Sequence, residues 1–209
     1  MIDGRLQRGE RTRKAVLDAA VGLASVEGLE GLSLARLAQT LGVSKSGLFA
    51  HWPDKQALQL AIVEHAQQQW IEQIVEPALR APAGVRRLLA LHELRLAFYA
   101  SGQLPGGCFF RAVDNEFDDR PGPVHDAIAT AIDSWMSLLA RLVGKAVELG
   151  QLRPGTDPHQ LAFEIEALGA VVIVHTHLLQ HEQSHEYARR AVLDRLRALA
   201  TDPSILPEA

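Results

Sequence analysis

Residues 33–55 read SLARLAQTLGVSKSGLFAHWPDK. Leu34, Leu37, Ala38 and Leu41 recur at helical spacing, and Gly42 stands directly behind them as a helix stop. Ser44 is a good N-cap for a second short helix with Leu48 and Phe49 as apolar anchors, and Val43 turns back toward the core. Two short helices joined by a tight Gly-containing turn, with the small Ala38 where they cross, make a helix-turn-helix. In that motif the second helix lies in the DNA major groove, so the stretch predicts a DNA-binding protein.

Outward from this stretch the 209-residue chain reads as all-α, with about nine helices and no strand. Hydrophobic content is 47%, and Ala and Leu outnumber β-branched residues, which favours helix. The helices are expected at about 8–26, 34–41, 44–50, 54–80, 85–101, 108–117, 122–149, 158–181 and 185–200. Stops and starts support them: Gly28, Gly42, Pro53-Asp54, the GQLPGG break at 102–107, Gly150, Asp157 and Ser184. The organisation that follows is a three-helix helix-turn-helix domain at 1–55 and a helical effector-binding and dimerisation domain at 56–209.

The net charge of −4 hides an asymmetry. Residues 1–60 carry eight Lys and Arg against six acids, a balance of +2, so the remainder carries −6. A modestly basic head on an acidic body suits a DNA-reading domain joined to a dimerising one. A lone cysteine, Cys108, leaves no intrachain disulfide and fits a reducing compartment. The N-terminus has no apolar signal segment, and the longest apolar run, ALGAVVIV at 167–174, falls far below the roughly 20 residues of a membrane span. These features lead to the expectation of a soluble, cytoplasmic protein without cofactor or metal.

Ser44-Lys45-Ser46-Gly47-Leu48-Phe49, then His51-Trp52 and Lys55, resemble the tetracycline-repressor (TetR) family of transcriptional regulators. Phe49 stands where Tyr is usual in that family, Trp52 where Phe is usual, and Gly47 one place later than the common Gly. RTRKAVLDAAVGLASVEGLEGLSL upstream is similar to the family's first helix and its turn, here at Gly28. The resemblance implies a homodimer on a near-palindromic operator, a small-molecule effector pocket in the C-terminal domain, and regulation, most often repression, relieved by the effector. It further implies that Ser44, His51 and Lys55 hold phosphates.

From the residues themselves, Lys45 at the exposed start of the recognition helix can donate to guanine O6 and N7. Ser46 and Gly47 are small enough for close backbone approach, and Ser33 at the cap of the preceding helix can offer an N-terminal amide to phosphate. Arg11, Arg13 and Lys14 are placed to reach the DNA backbone or an adjacent minor groove. Structural alternatives stand beside these roles: plain caps for Ser33 and Ser44, packing on Trp52 for His51, a solvated basic end for the arginines.

One reading head makes few base contacts, so a dimer is expected. Leu161, Ile165, Leu168, Gly169, Val172, Thr176 and Leu179 form one apolar stripe; Val192, Leu193, Leu196 and Leu199 form another. Two such helices per subunit would make a four-helix bundle, unless the stripes serve the protomer's own core. Candidate pocket walls are Trp70, Leu96, Tyr99, Cys108, Phe109, Phe110, Trp135, Met136, Leu139 and His175. The same residue types equally build a helical core. Trp135 and Tyr99 stand out because each carries a polar tip that needs a partner.

One rival pattern competes. Residues 181–185 read HEQSH, an H-E-x-x-H match that on one continuous helix would set His181 and His185 on zinc with Glu182 as general base. Gln183-Ser184 reads instead as a joint between two helices, which would separate the pair. The zinc-hydrolase alternative is therefore subordinate to the regulator, and no catalytic residue is assigned.

Overall fold

A computed structural model describes residues 4–42, 48 and 51–208, the side chains of 4–8 and 34 excepted. The helices are α1 (Gly4–Glu27), α2 (Leu34–Leu41), α3 (Lys55–Trp70), α4 (Glu76–Leu79), α5 (Val85–Ala100), α6 (Phe109–Phe117), α7 (Pro123–Glu148), α8 (Pro158–His177) and α9 (Ser184–Leu199). No strand occurs among the described residues; a single antiparallel bridge joins Leu152 to Ala200. Ser44, Lys45, Ser46, Gly47 and Phe49, the heart of the expected recognition helix, lie outside the described residues.

Local chemistry explains the boundaries. Ser33 caps α2 by accepting from the Arg36 amide, and Gly42 closes it in the left-handed region that glycine adopts without penalty. Asp54 accepts from the Ala57 amide at the start of α3, and Asp157 from the amides of His159 and Gln160 at the start of α8. The helix expected over 54–80 is not uniform. A π-helical turn, Ile71–Val75, separates α3 from α4, with the Glu76 amide reaching the Ile71 carbonyl. Pro77 follows at once; it has no amide to offer Gln73, and a wider turn makes room for its ring.

Helix α8 stops at His177 rather than 181. The His181 amide bonds the His175 carbonyl at 2.8 Å, and Gln180 takes a φ of 57°. A left-handed residue behind a helix end is ordinarily glycine, so a glutamine in that place left no stop signal to read.

The chain divides into two compact units: Met1–Gln69 with Gln103–Thr130, and Trp70–Gly102 with Ala131–Ala209. The three crossings fall inside α3, in the loop after α5 and inside α7. In the first unit, α1 buries Val16, Leu17, Ala20, Val21 and Ala24 beside Leu29, Leu37, Leu48, Trp52, Leu58 and Ile62. Helix α6 packs on α1, and the Glu116 carboxylate accepts from the Leu29 and Glu30 amides at 2.6 and 2.8 Å. Gly106 lies so near the Ser25 carbonyl that a Cβ there would stand 1.7 Å from its oxygen. In the second unit, α5, α8 and α9 pack on one another and bury Leu88, Leu91, Leu161, Ile165, Val172, Val192, Leu193 and Leu196.

Candidate functional site

The described part of the reading head shows its cations in partnership with carboxylates and rings. Lys55, the first residue of α3, donates to both the Glu30 carboxylate and the Glu30 carbonyl at 2.7 Å. That lysine's hydrogen bond is the main cause holding the Glu30 carboxyl below its ordinary range. Arg36 pairs with Glu27 at 3.0 Å, and Lys14 with Asp18 at 2.9 Å. The Arg13 guanidinium lies 5.8 Å from the buried Trp52 ring. His51 is exposed and tilted against Trp52 at 5.5 Å, and Arg11 is exposed on α1. Every one of these pairs involves at least one substantially exposed side chain.

The second unit holds a different arrangement. Arg95 stands in the apolar helix α5, with its side chain only 2% exposed. Its Nε donates to the Tyr99 hydroxyl at 2.7 Å, Nη1 lies 2.8 Å from Glu166 Oε2, and Nη2 donates to Oε1 at 3.0 Å. Trp135 Nε1 donates to the same Oε2 at 2.7 Å. The guanidinium also lies 5.5 Å from the Tyr99 ring and 5.7 Å from the Trp135 ring. Trp70 meets Trp135 edge-on at 5.2 Å and Phe98 at 5.9 Å, and its own indole N–H is buried with no partner among the described residues. One turn before Arg95, His92 donates from Nε2 to the Ala188 carbonyl at 3.1 Å. Burial, then the Arg95 charge, pushes its pKa down to about 4 despite that bond.

Of the expected pocket residues, Trp70, Tyr99 and Trp135 therefore come together. Leu96 and Leu139 are buried as core, while His175 stacks edge-on to His181 at 6.2 Å. Cys108, Phe109 and Phe110 belong to the first unit: Cys108 is buried at the start of α6, and the two phenylalanines meet edge-to-face at 5.2 Å. Arg95 and Glu166 were absent from the sequence-based site. The signal existed: each is a charge set in an apolar run, RLAFY and AFEIEALG.

Leu161, Ile165, Val172, Leu193 and Leu196 are buried within the single chain, and Leu168 and Thr176 are half-buried. The buried ones belong to the core of the second unit, where α5, α8 and α9 pack on one another. The open apolar side is Phe163, Val171, Val174 and Leu178, exposed at 63, 45, 48 and 76%, with Leu179 beside it and Tyr187 on α9. The zinc pattern loses its footing, since α8 ends at His177 and α9 begins at Ser184, leaving His181 and His185 on no shared helix.

Comparison with known proteins decides the family. The profile described as "Bacterial regulatory proteins, tetR family" matches residues 16–62, and "Tetracyclin repressor-like, C-terminal domain" matches 84–192. The chain belongs to the TetR family. It is a helix-turn-helix, DNA-binding transcriptional regulator. The HTH-type transcriptional regulator RutR of Escherichia coli K12 is 36% identical over 74% of this chain and 70% of its own length. A TetR regulator from Chloroflexus aurantiacus shares the fold with a TM-score of 0.85 at 23% identity, over 93% of this chain and 98% of that one. AibR, solved in complex with isovaleryl coenzyme A and operator DNA, shares it with a TM-score of 0.67 at 22% identity, over 85% and 96%.

Proposed function

We propose that this TetR-family chain is a ligand-responsive repressor that binds a near-palindromic operator as a homodimer and leaves it when a small effector binds. What carries the reading is that one continuous helix, α3, begins at Lys55 in the DNA-reading part of the chain and ends at Trp70 in the polar–aromatic cluster. A ligand that prefers one arrangement of that cluster can move the helix, and it shifts the equilibrium only by its differential affinity for the two states. Lys45 reads bases; Ser33, Ser44, His51 and Lys55 hold phosphates; Ser46 and Gly47 permit close approach; Arg11 and Arg13 extend the contact. AibR, a relative in fold, was solved with both an acyl coenzyme A and operator DNA, which supports a ligand-linked switch here.

The second copy of this chain fits the open side of α8. Phe163, Val171, Val174 and Leu178 recur at helical spacing, and burying such a stripe against its symmetry mate makes an isologous bundle of α8 and α9 pairs. The working place of such a regulator is the cytoplasm, with its operator. Helix α7 has the length and hydropathy of a membrane span by composition alone, its best window reaching a mean hydropathy of 1.2. Val124, Ile128, Leu139, Val143 and Ala146 are buried along it, while most of the apolar window, Ile132 included, is not.

The test is selection from random duplex DNA with the chain and with a Lys45→Ala, Lys55→Ala double variant. Enrichment of a two-fold-symmetric site that the variant loses supports the reading. Failure to enrich any sequence across a range of salt concentrations overturns it. Light scattering on Val174→Glu, Leu178→Glu tests the second copy: the wild type is expected as a dimer and the variant as a monomer.

A further inference from the structure

We propose that the second unit takes a ligand bearing a carboxylate on an apolar or aromatic body, that Arg95 is its anchor, and that Glu166 occupies the anchor until the ligand arrives. The proposal rests on the ligand-responsive reading above and names the chemistry of the ligand.

The argument begins with the donors. A guanidinium removed from water is tolerable only with its N–H groups satisfied, and Arg95 meets that demand with the Tyr99 hydroxyl and a two-point fork on one carboxylate. Trp135 adds a third donor to that carboxylate. The group at the centre is thus recognised as a planar anion would be, by a fixed fork and an indole N–H.

Burial is unequal across the pair. The Arg95 side chain is 2% exposed and the Glu166 side chain 27%. The cation is fixed on the closed side, and the carboxylate stands on the more accessible side. Arg95 would stay where it is without Glu166. The rings of Tyr99 and Trp135 flank it, and its Nη1 lies so near the α8 backbone that a Cβ on Gly169 would stand 2.5 Å away. Removing Glu166 therefore leaves a preorganised anion site rather than a collapsed one.

The surroundings select the rest of the ligand. Trp135 lies beside the fork, Trp70 packs edge-on against it and Phe98 against Trp70, and the buried Trp70 N–H offers a donor that nothing among the described residues accepts. A cationic ligand would meet Arg95 itself. A single buried guanidinium with a planar fork matches one carboxylate better than a dianionic phosphate.

The experiment uses the full chain without DNA, so its outcome is independent of whether an operator is found. Benzoate, benzamide and benzylamine, which differ in charge at constant shape, are titrated by calorimetry and tryptophan fluorescence, with acetate as the smallest probe. Benzoate is expected to bind the wild type, and Glu166→Ala to bind benzoate and acetate at least about tenfold more tightly, the scale of one charge-assisted hydrogen bond. Benzylamine should bind neither. A double variant, Arg95→Met, Glu166→Leu, removes both charges without stranding either, and should lose benzoate binding while staying folded by circular dichroism. The proposal is overturned if Glu166→Ala gains no affinity for either anion, if binding survives in the double variant, or if benzylamine is the preferred probe. A regulator that finds its operator yet binds none of these anions would leave the function standing and this inference refuted.

Discussion

Both units carry exposed ion pairs, and they differ in one charge that the second sets in its interior. In the first, Lys55–Glu30, Arg36–Glu27 and Lys14–Asp18 are surface pairs in which every partner is at least about a third exposed. In the second, Arg95 is buried beneath Glu166 and walled by rings. Exposed pairs are worth little and exchange readily, so a phosphate can take the place of a carboxylate on the same cation. A buried pair is worth little as a net gain but is expensive to break from one side. The head is thus built to trade partners on its surface, and the body to register whether one specific interior partner is present.

The largest effect should come from breaking the buried pair unevenly. Glu166→Leu strands a desolvated guanidinium and is expected to destabilise the chain by about 3–5 kcal/mol in chemical denaturation. Arg95→Met, Glu166→Leu together should recover most of that loss. If the single variant is as stable as the wild type, the cation is better solvated than its burial implies, and the contrast between the two units disappears.

Next in size is a pH effect that belongs to the body alone. His92 has a folded pKa of about 4, below the 6.5 of an ordinary imidazole, chiefly from burial and then from the Arg95 charge. Above pH 6.5 both folded and unfolded chains hold it neutral and its contribution is complete. Between 6.5 and 4 the unfolded chain takes up a proton that the folded chain refuses, so stability falls with pH by roughly 3 kcal/mol in all. His92→Gln can still donate to the Ala188 carbonyl and should flatten this slope. An unchanged slope in that variant would move the pH dependence to other groups.

A smaller steric effect probes the same anchor. Gly169→Ala puts a methyl 2.5 Å from Arg95 Nη1, and the guanidinium must shift on its fork. A loss of about 1–3 kcal/mol is expected by thermal or chemical denaturation, from overpacking. In Arg95→Met, Glu166→Leu the same substitution should be nearly neutral, since the obstructing group is gone. Equal losses in both backgrounds would refute the clash.

The sequence made the head and the helical architecture legible because their signals are local. Ser33, Gly42, Asp54 and Asp157 each act on amides or dihedrals within a few residues; Ser33, Gly42 and Asp157 act as read, while Asp54 caps α3 from one place ahead of it rather than standing in its first turn. What escaped it were features that depend on which side of a helix another helix covers. The stripe of Leu161, Ile165 and Val172 is apolar whichever neighbour buries it, so its pattern alone cannot distinguish core from dimer face. The exposed Phe163, Val171, Val174 and Leu178 interleave with it on the same helix. Arg95 and Glu166 lie 71 residues apart, and only the packing of α5 on α8 makes them one object. Trp135 and Tyr99 were legible by their polar tips; the groups those tips bond were not.

The smallest effect on stability should accompany an effect on DNA. Glu30→Gln removes the carboxylate that holds Lys55 while leaving an amide within reach of Gln59. The change in unfolding free energy should stay within about 0.5 kcal/mol, as for other surface pairs. Affinity for random duplex DNA at low salt should rise, because Lys55 no longer has to leave a carboxylate and one negative charge is gone from the DNA-reading part of the chain. Adding Lys55→Ala to Glu30→Gln should cancel most of that gain and lower the slope of log affinity against log salt by about one phosphate's worth. If Glu30→Gln weakens binding instead, the Glu30–Lys55 pair positions the head rather than competing with DNA for it, and the first unit's charges would then be structural in the same sense as those of the second.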